Sequence, residues 1–330
     1  MTRTILGIDI AEATLEVSLL TALHSARGQF TNDAQGFGKL TRWLRNRLDG
    51  PLDRQVEVYL EATGPYWEAL AHSLHEQGCR VSVINPKLIK RHAEATMQRN
   101  KTDPQDARTI AAYGRVHRPR AWQPPAPAYR ELRAMVRHLA ALQSDRQRER
   151  NRLEASGHAA TVRAAIDAHL AFLDDQIMTL EAQIETHIAQ HPALQAKQAR
   201  LTSIPGIGAT CAATFLAEVP DVSRFAQAAQ LAAYAGLTPG QRQSGRSLDD
   251  PGHLVKWGNA HLRRVLYMPA LSAHQWNPII AAFRARLEAR GKSKMTIVVA
   301  VMRKLLHLCY GVLKTGKPFD PEHASMAHTP

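Results

Sequence analysis

The chain has 330 residues, enough for two domains with cores of their own, and its 42 Lys and Arg against 29 Asp and Glu give a formal charge of +13. Three widely spaced cysteines, Cys79, Cys211 and Cys309, with no CxxC spacing, argue against a disulfide scaffold and a zinc site. The opening MTRTILGIDI runs into a strand pattern without an apolar leader, and the most apolar late stretch, MTIVVAVMRKLL, is broken by Arg303 and Lys304; neither secretion nor a membrane span is expected, and the cytoplasm is the expected location.

The first 120 residues alternate strand and helix patterns. TILGIDIA, LEVSLLT and RGQFTN read as three consecutive short strands; a helix over residues 35–48, the strand QVEVYLEA, a helix over 65–77, the strand RVSVINP and further helices follow. Three hairpin-linked strands before an alternating helix and strand series is the order of a ribonuclease H-like α/β fold, in which the first and fourth strands are neighbours. Strand periodicity sets Asp9 opposite Leu6, Ile8 and Ile10, and Glu61 opposite Val56, Val58 and Leu60, so the two acids are expected to face each other across paired strands. Beyond them, RNKTDPQDAR holds Asp103 and Asp106 three residues apart. Asp103 can be a helix N-cap, with Pro104 the first helical residue and Asp106 its reciprocal partner. Alternatively, two carboxylates at i and i+3 point the same way and can share a divalent cation.

From Ala126 the pattern is helical, and after a break near Gly157 it becomes the stripe Ile166, Leu170, Leu173, Ile177, Leu180, Ile184 and Ile188, which predicts a coiled-coil hairpin with the segment before it. Such an arm serves self-association or spaces two domains. After Arg200, a PGIG turn containing Gly206 and Gly208 enters a small-residue helix. It reads either as a tight turn between packed helices or as a helix-hairpin-helix element that offers backbone N–H groups to a DNA phosphate. The polar, glycine-rich GLTPGQRQSGRSLDDPGHLVKWGNAHLRR is a connection of the kind that carries function, and apolar helices with a basic insert, RARLEARGKSK, follow.

Charge is unevenly spread: residues 1–120 carry 17 basic and 13 acidic side chains, residues 121–196 carry 8 and 9, and residues 197–330 carry 17 and 7. The excess at the C-terminal end favours a polyanionic partner, nucleic acid ahead of membrane because no amphipathic anchor accompanies it. On a ribonuclease H-like sheet, Asp9, Glu61, Asp103 and Asp106 can converge on one point. Four clustered carboxylates repel unless cations neutralise them, and paired Mg2+ ions roughly 4 Å apart are the usual solution in phosphoryl transfer.

The stretches GIDIA, EATGPYWE, VSVINP and RNKTDPQDAR, then SIPGIG, AYAGLTPGQRQSG and LRRVLYMPA, resemble in order, over about residues 4–320, the IS110 family of insertion-sequence transposases, also called DEDD transposases or bridge-RNA-guided recombinases. The resemblance implies a RuvC-like catalytic domain over residues 1–125, a coiled-coil arm over 126–196 and a mostly helical C-terminal transposase domain over 197–330. It implies that Asp9, Glu61, Asp103 and Asp106 hold Mg2+, two ions per site, and that Ser244 is a nucleophile forming a covalent phosphoserine. It implies double-stranded donor and target DNA, a structured noncoding guide RNA, and a homo-oligomer, a dimer that becomes a tetramer in the synaptic complex. Ala11 and Glu12 stand where many members place a lysine after GID, and GRSLDDPG adds two acids after Ser244; no motif acid is lost. From the residues alone, Ser244 and Ser247 are equal candidates, both beside Arg242 and Arg246 in a loop without a His–Asp pair. Arg242, Arg246, Arg263 and Arg264 read either as phosphate clamps or as solvated charges. Lys87, Lys90, Arg91, Arg99 and Lys101 form a basic rim near the acids that suits a nucleic-acid backbone. Two other functions fit the residues: a RuvC-type endonuclease that hydrolyses junctions with the acids alone, and a non-enzymatic nucleic-acid-binding protein.

Overall fold

The computed structural model describes residues 4–22, 24–48, 52, 56–97, 103–155, 159–240, 243–244, 248–249, 253–254 and 258–322; for Asp103 and the described residues between 240 and 254 it gives the backbone alone. The chain forms two compact units, Met1–Pro124 and Pro125–Pro330.

In the first unit β1 (Thr4–Ile10), β2 (Thr14–Leu20) and β3 (Ser25–Thr31) form an antiparallel meander, and after α1 (Ala34–Arg45) the chain returns as β4 (Val56–Glu61) parallel to β1. Then α2 (Glu68–Glu76) leads to β5 (Arg80–Ile84), parallel to β4, giving the sheet order β3-β2-β1-β4-β5; α3 (Pro86–Ala95) and α4 (Asp103–His117) follow. The first and fourth strands are therefore neighbours, as the strand order predicted. Alternation does the sorting. Leu6, Ile8 and Ile10 of β1 and Val56, Val58 and Leu60 of β4 bury one face with Leu40 and Leu44 of α1 and Leu70 and Leu74 of α2. Ile5 and Tyr59 bury the other with Ile89, Ile110 and Ala111 of α3 and α4. Helix starts follow local chemistry: the Asp33 carboxylate accepts from the Gly36 N–H at 2.7 Å, and Asn85 caps α3 with Pro86 in its first turn. The α4 helix begins at Asp103 itself, one residue before the start predicted by the capping reading.

In the second unit α5 (Pro127–Glu154) and α6 (Ala160–Ala189) fold back on each other, with Arg146 paired to Asp174 at 2.9 Å and His187 Nε2 2.9 Å from the Ala128 carbonyl oxygen. The predicted stripe is the buried seam, Leu170 being half-buried. Then come α7 (Pro192–Thr202), α8 (Ala209–Glu218), a 3-10 turn, α9 (Ala228–Tyr234) and four two-residue strands, β6 (Pro239–Gly240), β7 (Gln243–Ser244), β8 (Leu248–Asp249) and β9 (His253–Leu254). After them α10 (Ala260–Ser272), a second 3-10 turn, α11 (Pro278–Ala289) and α12 (Lys294–Thr315) close the unit. One core holds Val136 and Leu139 of α5 and Ile184 and Ile188 of α6 together with Phe215, Leu216, Leu305 and Leu306, so the base of the long hairpin is built into the helical bundle. Helix α12 is long and apolar enough to cross a membrane despite Arg303 and Lys304, yet 56% of its most apolar window is buried inside the unit. All three cysteines are free and buried.

Gly206 accounts for the PGIG turn. Its φ of +99° disfavours a side chain, and a Cβ there would lie 2.7 Å from the Ala273 Cβ, so the turn packs tightly on the 3-10 turn after α10. Gly208, the residue before α8, faces open space.

Candidate active site

Asp9 and Glu61 occupy equivalent places on neighbouring parallel strands, each one residue beyond the Ile8–Leu60 pair that ends the printed β1–β4 register. Both are half-buried and lie on the face covered by α4. Asp9 Oδ1 accepts from the Ile10 N–H at 3.1 Å, and Glu61 Oε1 accepts from the Thr63 hydroxyl at 3.1 Å. Across the other edge of β1, Glu16 stands directly opposite Asp9. It is a third acid on this face that the sequence reading passed over, and like charges directly opposite each other cost stability unless a cation lies between them.

The remaining two acids come on α4, which is brought down on the sheet by small residues. Ala107 and Ala111 are fully buried, and a Cβ on Gly7 would lie 2.3 Å from the Ala107 carbonyl oxygen and 2.4 Å from the Ala111 nitrogen. Glycine inside a strand marks such a close backbone approach, and this one sets the first turn of α4, with half-buried Asp106, against β1 two residues before Asp9. Asp103 opens the same turn by its backbone. Carboxylate oxygens are the donors a hard divalent cation such as Mg2+ takes, so the donor chemistry fits that ion. Among the described residues, no three His, Cys, Asp or Glu side chains are close enough to hold a metal between them.

Ser244 lies in β7, where it pairs with Leu248 of β8. Below it β6 pairs with β9, Pro239 with Leu254 and Gly240 with His253, so the segment is a two-tiered hairpin with Ser244 in the outer tier. Its base is closed by backbone contact: the Asn259 N–H donates to the Tyr234 carbonyl at 2.8 Å, and a Cβ on Gly258 would lie 2.5 Å from the Gly236 nitrogen. Asn259 also holds α10, its Oδ1 accepting from the His261 and Leu262 N–H groups, while its Nδ2 donates to buried Glu218 at 2.6 Å. Arg137 of α5 completes the network, donating to the two Glu218 oxygens at 2.8 and 3.1 Å. Burial raises the Glu218 pKa, but the hydrogen bonds from Arg137 and Asn259 outweigh it and hold the carboxyl below its usual range. Burial lowers the pKa of His261. Arg137 and Glu218 are 81 residues apart and carry no sequence signal that would pair them.

The basic candidates divide. Lys87, Lys90 and Arg91 are exposed at i, i+3 and i+4 on α3, which leaves the sheet just beyond β5. Arg263 donates to the Ala235 carbonyl at 3.0 Å and so braces the hairpin base, whereas Arg264 is exposed. With His261 and Met268 it borders a cavity of about 470 Å3 at the start of α8. Arg99, Lys101, Arg242, Arg246 and Ser247 lie outside the described residues.

Residues 6–156 match a family model described as a transposase, DEDD type, of IS110, and residues 198–285 match one described as the transposase IS116/IS110/IS902 family. The chain is 35% identical over 321 residues to the pilin gene-inverting proteins of Moraxella lacunata and Moraxella bovis, an alignment covering 97% of this chain and 98% of each relative. Among solved structures, T. thermophilus RuvC in complex with a Holliday junction substrate aligns with 36% of this chain and 99% of its own, at 15% identity and a TM-score of 0.25.

Proposed function

This chain belongs to the IS110 family of transposases, and from that premise we propose that it is a site-specific DNA recombinase of an insertion sequence, with Asp9, Glu61, Asp103 and Asp106 as a divalent-metal site and Ser244 as the nucleophile. The observation that carries the metal half of this reading is the backbone placement of Asp9 and Glu61 on adjacent strand ends, with the first turn of α4 set beside β1 by the tight Gly7 contact. A bound Mg2+, or a pair, would neutralise the carboxylates and offset the charge of a DNA phosphate. The protein's own part is positional: two acids are fixed by the sheet and two by one helical turn.

For the serine half, the support is the family motif and the position of Ser244 in the outer strand pair of a hairpin with a braced base. Ser244 Oγ attacks a DNA phosphorus while its proton passes to the departing deoxyribose oxygen, which leaves with the electron pair of the broken P–O bond, and the enzyme holds a phosphoserine. The hydroxyl end of another strand then attacks that phosphorus and releases the serine, so no bond energy is lost to water. Relatives named for inverting a pilin gene favour strand exchange over plain hydrolysis.

Double-stranded DNA is the substrate, and a structured noncoding RNA supplies site choice by pairing, its backbone resting on basic surfaces such as Lys87, Lys90 and Arg91. The α5–α6 hairpin, which exposes Phe172 and Met178, carries the self-association into dimers and synaptic tetramers in the cytoplasm.

The experiment is to incubate nuclease-treated protein with donor and target duplexes, Mg2+ and the RNA that co-purifies with the untreated protein, and to trap protein–DNA adducts on denaturing gels. Ser244→Ala should lose the adduct and strand exchange while still binding nucleic acid, and Ser247→Ala should keep both. Strand cleavage by Ser244→Ala at the wild-type rate would instead favour hydrolysis by the acids alone. Efficient recombination without RNA would overturn RNA guidance.

A further inference from the structure

The face of β4 that carries Glu61 also carries Glu57 and Tyr59, four and two residues back. Glu57 is a carboxylate only 4% exposed and Tyr59 is fully buried. Both Glu57 oxygens are used: Oε2 accepts the Tyr59 hydroxyl at 2.7 Å, and Oε1 accepts Arg118, from Nε at 3.0 Å and Nη2 at 2.9 Å. Arg118 directly follows α4, donating its N–H to the Gly114 carbonyl at 3.0 Å in a left-handed conformation with φ +41°. A non-glycine residue held there is strained and persists only where its surroundings impose it. One turn earlier, Gly114 lies directly on the Tyr59 ring, where a Cβ would come within 2.2 Å of it.

Helix α4 is therefore held to the sheet at two places. The Gly7 contact grips it at Ala107 and Ala111, near the acids, and the Glu57–Tyr59–Arg118 trio grips its other end. We infer that Glu57, Tyr59 and Arg118 are positioning residues for the acid site, a clamp that sets the tilt of α4 and thereby the place of Asp106 relative to Asp9 and Glu61. With the proposed metal site as its premise, this inference assigns the site's geometry to residues remote from it.

The lever is short enough to matter. From the middle of the Gly7 grip, between Ala107 and Ala111, Arg118 is nine residues on and Asp106 three residues back, roughly 13 and 4 Å along the axis. Pivoting at the middle of that grip, a shift of about 1 Å at the clamp moves Asp106 by about 0.3 Å, on a scale where misplacement by about 1 Å can cost on the order of 100-fold in rate. Stability alone is a poor reason for the trio, because Arg118 is half exposed, where ion pairs contribute little, and apolar side chains often replace a buried carboxylate and its partners without loss. Directed hydrogen bonds add what apolar packing lacks, a single allowed orientation. The chain's exit is tied down as well: the Pro119 carbonyl accepts from Arg80 Nη2 at 2.7 Å and from the Ser82 hydroxyl at 3.1 Å, so the clamp does not swing with the segment beyond it.

The test compares full-length wild type with Glu57→Gln, Arg118→Ala, Arg118→Lys and Tyr59→Phe. The last keeps the ring under Gly114 and removes one hydrogen bond, so it remains informative if a charge variant fails to fold. Three quantities are read: Mn2+ binding to the free protein by calorimetric titration, the Mg2+ concentration for half-maximal strand cleavage, and the melting temperature. Expected is a weakening of Mn2+ binding by roughly tenfold in Glu57→Gln and Arg118→Ala, the scale set by outer partners of metal ligands. A matching rise in the Mg2+ midpoint, partial rescue by Arg118→Lys, a smaller loss in Tyr59→Phe and unchanged DNA affinity complete the pattern. Variants that bind Mn2+ and respond to Mg2+ like wild type, whatever their melting temperatures, would reduce the trio to a structural role and leave the metal site standing. A wild type that binds no Mn2+ and cleaves without divalent ions would overturn the metal site and the clamp with it.

Discussion

Gly7→Ala tests the geometry on which both halves of the acid site depend. A Cβ at this position would sit 2.3 Å from the Ala107 carbonyl oxygen, 2.4 Å from the Ala111 nitrogen and 2.7 Å from the Ala111 Cβ, against the 3.4 Å at which ordinary contact begins. The three atoms belong to the backbone or the first carbon of a helix, so no side chain can rotate away and α4 itself must retreat by about 1 Å. Overpacking of this kind costs about 1–3 kcal/mol. Asp106, next to Ala107, moves with the helix, and a displacement of about 1 Å predicts a loss on the order of 100-fold in strand cleavage. Stability is measured by chemical denaturation and activity by Mg2+-dependent cleavage of a donor duplex, with DNA affinity as the control that should not move. If the variant matches wild type in both stability and cleavage, α4 does not lie on β1 at Gly7, and the placement of its first turn beside the strand-end acids fails as an argument for the proposed metal site.

Two further outcomes follow from the second unit. Because Glu218 is held below its usual pKa by Arg137 and Asn259, its contribution to stability is complete above the unfolded carboxylate pKa and is lost as pH falls through the lowered folded value. Glu218→Gln should therefore flatten the acid limb of the unfolding curve below the usual carboxylate range and, if Ser244 is the proposed nucleophile, slow adduct formation, while an acid limb identical to wild type would contradict the network. Gly206→Ala combines a strained left-handed residue, about 1–3 kcal/mol, with the clash at Ala273. It should lower the melting temperature of the second unit in calorimetry, and a neutral result would mean that the PGIG turn does not pack on Ala273.

Local pattern was enough to read much of the first unit. Alternation in β1 and β4 set Asp9 and Glu61 on one face, and the order of three strands before an alternating series made those strands neighbours, because side-chain period and strand adjacency are local or nearly local properties. The stripe in α6 was read for the same reason, although its period did not tell that the base of the hairpin shares a core with α8 and α12. Strand membership of Ser244 was not readable, since two-residue pairings such as Ser244 with Leu248 are too short to have a period. Only the tertiary structure chose what stands opposite what. It set Glu16 across from Asp9, seated α4 on Gly7, joined Arg118 to Glu57 across 61 residues and joined Arg137 to Glu218 across 81. These pairings follow from the close packing of whole elements, and an isolated charged residue in a sequence carries no mark of the partner that packing will bring to it.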